Sequence, residues 1–148
     1  MNLRRKYLSA ALAVGAATAM IVPLQAAVAQ SSPPDPYFNF SVGPQATILT
    51  RGAALRVPVS VTCFPETFNY GINIFVTQRV AGGRIASGSA FVNGPLNCDG
   101  FPHVVNTTLI ANQNAFKTGT ALSTADAFAC TPLQCNSFQE QKEISIKK

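Results

Sequence analysis

The chain has no tryptophan, a single histidine, and charged side chains at only 11% of its positions, well below the share of about 25% usual for a globular domain. Each scarcity closes off a class of chemistry. With His103 alone, and with no C-x-x-C spacing among its four cysteines, the chain lacks the donor set of a zinc site. A serine hydrolase would have to use His103 as base with Asp99 or Asp126 to orient it. Asp99-Gly100 is ordinary turn chemistry, however, and His103 follows a proline at a strand start. The six carboxylates, Asp35, Glu66, Asp99, Asp126, Glu140 and Glu143, are scattered over loops and strands rather than paired. No helix follows Gly82-Gly83 to receive a phosphate. The reading is of a non-enzyme, and no catalytic residue, metal or cofactor is assigned.

Positive charge is also scarce once its placement is considered. The formal charge is +5, but Arg4, Arg5 and Lys6 supply three of those charges, and beyond residue 29 the balance is 8 basic minus 6 acidic, or +2. With Lys147-Lys148 the one remaining basic cluster, a nucleic-acid surface is not expected. Arg4-Arg5-Lys6, the Ala-rich stretch from Tyr7 to Val22 and Ala27-Val28-Ala29 read as the three regions of a secretory signal peptide over residues 1–29. The apolar stretch falls short of the roughly 20 residues a spanning helix needs. Arg4-Arg5-Lys6-Tyr7-Leu8 also loosely resembles a twin-arginine export signal. No cysteine follows the cleavage site, so no membrane anchor is expected after cleavage. The expected location is extracellular.

Residues 30–36 hold Ser31, Ser32, Pro33, Pro34 and Pro36 and read as an extended tether. Residues 37–148 form the expected domain. Its opening core strand is Leu55 to Cys63, where Leu55, Val57, Val59, Val61 and Cys63 alternate with Arg56, Pro58, Ser60 and Thr62. Pro58 gives a ladder no donor, so an incomplete or bulged neighbour is expected beside it. Ile72, Ile74 and Val76 mark the inner row of the next strand, and Ala81-Gly82-Gly83 the hairpin turn after it. Arg84 to Val92 reads as a weaker, edge-like strand. Val105, Thr107 and Leu109 are the inner row of another strand. In Thr120 to Cys130 an Ala-rich row (Ala121, Ser123, Ala125, Ala127, Ala129) opposes Leu122, Thr124, Asp126 and Phe128. Turning the Ala row inward costs less, because the other choice buries Asp126. No helical periodicity follows residue 29, and turn signals recur every eight to twelve residues. The expected fold is all-β: an immunoglobulin-like sandwich of seven to eight antiparallel strands with two disulfides.

All four cysteines, Cys63, Cys98, Cys130 and Cys135, fall in the exported part, as two disulfides require. If each connection reverses direction, all four gather at one end of the sandwich. There the end of the Leu55–Cys63 strand meets the start of the strand after Cys98, which favours Cys63–Cys98 with Cys130–Cys135. On the loop-entropy account the larger loop contributes about 4 kcal/mol and the smaller about 2. The same end collects Phe64, Phe68, Tyr70 and Phe101 together with the tip Thr131, Pro132, Leu133 and Gln134, the candidate binding surface. The competing reading is that the aromatics cap the core.

In outline the chain resembles small secreted actinobacterial β-sandwich proteins. Through Cys130-x4-Cys135 it also resembles the apoproteins of the neocarzinostatin-like chromoproteins. That second resemblance implies a cleft for a small apolar ligand. It departs at the first disulfide, since Cys63 and Cys98 lie 35 positions apart where those proteins have a tight loop. Asp126-Ala127-Phe128-Ala129-Cys130 resembles the end of an immunoglobulin strand F and implies the rival pairing Cys63–Cys130 with Cys98–Cys135. Phe128, however, stands where the corner tyrosine belongs, and the core tryptophan is missing. The function expected is a secreted, non-catalytic binding domain acting through its cysteine-clipped loop end on a protein, a cell surface or a small apolar ligand. A carrier of such a ligand and a small protease inhibitor are the alternatives.

Overall fold

A computed structural model of the chain describes residues 38–67, 69–94 and 97–148. The expected signal peptide, the tether, Tyr37 and the candidate residue Phe68 lie outside them. Eight strands follow one another: β1 (Phe38–Val42), β2 (Gln45–Leu49), β3 (Ala54–Cys63), β4 (Asn69–Arg79), β5 (Ile85–Val92), β6 (Pro102–Gln113), β7 (Gly119–Cys130) and β8 (Cys135–Lys147). The disulfides are Cys63–Cys98 and Cys130–Cys135. The pairing favoured from strand directions therefore holds, and the immunoglobulin-type rival does not.

The strands do not separate into the two sheets of an immunoglobulin-like sandwich. They form one sheet in the order β1-β3-β2-β8-β7-β4-β5-β6, and β6 pairs back onto β3, so that seven strands close a barrel. Two strands make the closure. β5, expected at an edge, pairs with β4 on one side and β6 on the other. β2 runs antiparallel to β3 and parallel to β8. Period-2 alternation shows which side chains face inward but not which strands are neighbours, and this is where the expectation failed. β1 lies outside the ring, continuing the β2 edge along β3. Pro58 sits opposite the break between the two, at Gly43-Pro44, where the Gly43 N–H donates to the Pro58 carbonyl at 2.7 Å. The interrupted neighbour expected from Pro58 is this break.

The closure is uneven along the barrel. β2 and β8 pair only over Gln45–Thr47 with Ser145–Lys147. β5 and β6 pair only over Ser87–Ser89 with Ile110–Gln113. Both short ladders lie at the end away from the cysteines. Toward the cysteines the described residues of β1 and β8 share no backbone ladder, and side chains bridge them instead. Glu140 accepts the Val42 N–H at 2.7 Å and the Ser41 hydroxyl at 3.0 Å. Lys142 donates to both Glu140 and Ser41 at 2.8 Å.

Inner faces follow the alternation. Leu55, Val57, Val59, Val61 and Cys63 on β3, and Ile72, Ile74 and Val76 on β4, are fully buried. The Ala row of β7 faces in, leaving Leu122 and Phe128 outside. At the far end the buried Phe116 fills the space over Gly88 on β5, and its N–H donates to Gly52 at 2.9 Å. Gln78, buried on β4, pins the same loop by bonding both the carbonyl and the N–H of Lys117 at 2.8 and 2.9 Å. Gly52 has φ 94, and a Cβ there would fall against the Phe116 carbonyl, so only glycine fits.

Candidate functional site

Antiparallel order around the ring makes β3 and β7 run the same way, so Cys63 and Cys130 end at one rim. Three connections meet there: 64–68 between β3 and β4, 93–101 between β5 and β6, and 131–134 between β7 and β8.

The β5–β6 connection is held at several points. Cys98 is bonded to Cys63, and the Gly100 N–H donates to the Cys63 carbonyl at 2.9 Å. Asp99 accepts the Phe101 N–H at 3.0 Å and the Asn97 amide at 2.8 Å, and its Oδ1 lies 2.9 Å from His103 Nε2. The hydrogen bond with His103, and next the one from Phe101, hold the Asp99 carboxyl below the ordinary aspartate range. Asp99 and His103 thus meet, and the turn expected at Asp99-Gly100 is the one they brace.

The β7–β8 tip is a tight turn clipped by Cys130–Cys135. The Thr131 N–H donates to the Gln134 carbonyl at 2.8 Å, and Thr131 Oγ1 accepts the Leu133 and Gln134 N–H groups at 3.4 and 3.3 Å. Leu133 stands at the apex 95% exposed. Thr131, Pro132, Leu133 and Gln134 line a hollow of about 430 Å³ together with Glu66 of the β3–β4 connection.

The candidate residues divide between surface and core. Phe101 and Phe64 are exposed, Phe64 lying against Gly100. Tyr70 is only 7% exposed, on the inner row of β4. Its ring centroid lies 5.7 Å from that of Phe38, which is itself 5.4 Å from Phe138. These rings cap the core, and burial pushes the Tyr70 hydroxyl above its ordinary pKa. The competing reading of the aromatics thus applies to Tyr70, while the tip, Phe64 and Phe101 remain at the surface. Glu66, read as one of six scattered carboxylates, joins the hollow; no spacing rule links it to residues 65 positions away. Among the described residues no group of three His, Cys, Asp or Glu side chains could hold a metal ion, and no helix is long and apolar enough to cross a membrane. Comparison with protein-family models, curated proteins and solved structures finds no match.

Proposed function

We propose that the protein is a secreted, non-catalytic interaction domain that presents the apex of its clipped β7–β8 turn to a partner protein. One observation carries the reading. Leu133 is held almost wholly in water by a turn that a disulfide and three hydrogen bonds make rigid. An apolar side chain in a pre-ordered loop loses little entropy on docking and gains its full burial, about 1.5–3 kcal/mol for a leucine. Phe101, exposed on the braced β5–β6 connection at the same rim, offers a second apolar side chain. The basic-then-apolar start of the chain and the two disulfides support the extracellular setting.

Photo-crosslinking tests this reading. Benzoylphenylalanine placed at position 133 should give one discrete adduct on the surface or in the medium of the producing cell, and excess wild-type protein should compete it away. The same group at position 81, at the far end, should give none. Equal labelling from both positions, or none from 133, overturns the proposal.

The hollow beside the turn favours a second reading, a carrier for a small apolar ligand, since about 430 Å³ lies within the range of small-molecule sites. Native mass spectrometry of protein purified from its source would then show a bound mass. An empty protein would end that reading. A protease-inhibitor role finds least support. The hydrogen bond from Thr131 to Gln134 folds the tip into a closed turn, whereas bait segments enter a protease cleft extended.

A further inference from the structure

The outer face of β4, β5, β7 and β8 carries a second concave surface, separate from the clipped turn. On most strands of such a barrel this face would be plain polar surface, but here it exposes Phe75, Phe91 and Phe128. Phe91 and Phe128 lie low across the sheet, because a Cβ on Gly71 would stand 2.7 and 2.6 Å from their rings. Only a residue without a side chain lets two rings converge at that point.

Beside these rings, strand register sets a row of polar groups. Asn73 on β4 stands opposite Phe91 on β5 and Asp126 on β7, and Asp126 stands opposite Gln139 on β8. Gln139 donates to Asp126 Oδ1 at 2.8 Å. Among the described residues the Asn73 amide, the Ser137 hydroxyl and Asp126 Oδ2 have no partner. With Phe128 they line a hollow of about 370 Å³.

This combination decides what fits. A dry protein face laid over the hollow would bury the Asn73 amide and Asp126 Oδ2 without partners. An anionic ligand meets the like charge of Asp126 and no cationic side chain in the lining. A ligand with one apolar C–H face and a rim of hydroxyls meets both halves of the site, since its face covers the ring while its hydroxyls donate and accept at the amide, carboxylate and hydroxyl. We propose that Phe128, Asn73, Asp126, Ser137 and Gln139 form a binding site for a neutral oligosaccharide, with Phe91 and Phe75 extending the stacking surface. This site does not depend on the role proposed for Leu133.

The test titrates the disulfide-bonded full chain with cellohexaose, xylohexaose, mannohexaose and chitohexaose, followed by backbone amide NMR. At least one sugar should bind, with shifts centred on Asn73, Asp126, Phe128 and Gln139. Phe128→Ala and Asn73→Ala should each weaken it about tenfold or more, and Leu133→Asp should leave it unchanged. Unaltered amide spectra for the rest of the chain will show that the variants are folded. The proposal fails if none of the four sugars shifts these residues up to about 10 mM, or if Phe128→Ala binds as wild type. It fails equally if sedimentation shows a dimer that Phe128→Ala dissociates, which would give the face to a second copy of the chain.

Discussion

Replacing Glu140 by alanine removes the side chain that stands in for a missing backbone ladder between β1 and β8. Three interactions go with it, and they differ in weight. The Val42 N–H, partly buried, donates to the carboxylate at 2.7 Å, and a hydrogen bond to a charged group contributes about 1.5–3 kcal/mol. The Lys142 contact joins side chains that are each about a quarter exposed, so it adds about 1 kcal/mol at most. The Ser41 hydroxyl is exposed and can turn to water. Water can also reach Val42 once the carboxylate is gone, which trims the loss, and the expected destabilisation is about 2 kcal/mol. Glu140→Gln keeps an acceptor and should lose about 1 kcal/mol. Urea unfolding with both disulfides intact reads this as a lower midpoint at unchanged m. Amide exchange locates it. Val42 should exchange faster by more than its β3 partner Val59 does, because the defect opens β1 before the barrel. The reasoning is refuted if both variants unfold within about 0.5 kcal/mol of wild type, or if Val42 and Val59 change by the same factor.

Ser123 lies 1% exposed in the Ala row of β7 with its hydroxyl unbonded, so Ser123→Ala should raise stability by about 1 kcal/mol, seen as a melting point several degrees higher; a lower one would mean the hydroxyl has a partner. Gly52→Ala forces a side chain into a left-handed conformation against the Phe116 carbonyl and should cost at least about 2 kcal/mol in urea unfolding; a neutral result would show that the Phe116 loop yields. The Asp99 carboxyl is held below its ordinary range in the folded chain, so its contribution is complete above the ordinary aspartate pKa and disappears as pH falls through the lowered one. The Phe101 amide resonance should therefore report the loss of the turn on strong acidification, and Asp99→Asn should abolish that step; persistence of the step in the variant would assign it to another group.

What could be read in the sequence depended on how one-sided each strand is. β3 and β4 are buried on one face along most of their length, so Leu55 to Cys63 and Ile72 to Val76 announce their inner rows directly. The Ala row of β7 was decided by one residue, Asp126, whose burial would have been costly. β8 has no such one-sided pattern. Glu140 and Lys142 lie on the row that continues to Ile144 and Ile146, and charges on an inner row look like an outer one unless the gap they bridge is known. The aromatics at the rim were all read as one class. The inner row of β4 takes Tyr70, while Phe64 and Phe101 lie in connections that have no inner row to join. On the outer face, Phe75 and Phe128 alternate with core residues and so were visible as outward-facing, but their meeting with Phe91 and Asn73 depends on strand order, which a sequence alone does not contain.

The uneven closure explains why the cysteines sit where they do. At the far end, hydrogen-bond ladders run across both seams of the barrel, β2 to β8 and β5 to β6. At the cysteine end those ladders stop, and other bonds hold the rim. Cys63–Cys98 and the Gly100 bond to Cys63 tie the β5–β6 connection to β3, and Glu140 ties β1 to β8. Cys130–Cys135 fixes the β7–β8 hairpin at the same rim. A ladder ties each residue to a neighbour and so constrains sequence and shape along its whole length. A disulfide or a single carboxylate constrains one point and leaves the intervening residues free to vary. The rim with Leu133, Phe101 and Phe64 is therefore the part of the molecule where surface can change while the barrel stays the same, which is the property a recognition surface on a rigid scaffold requires.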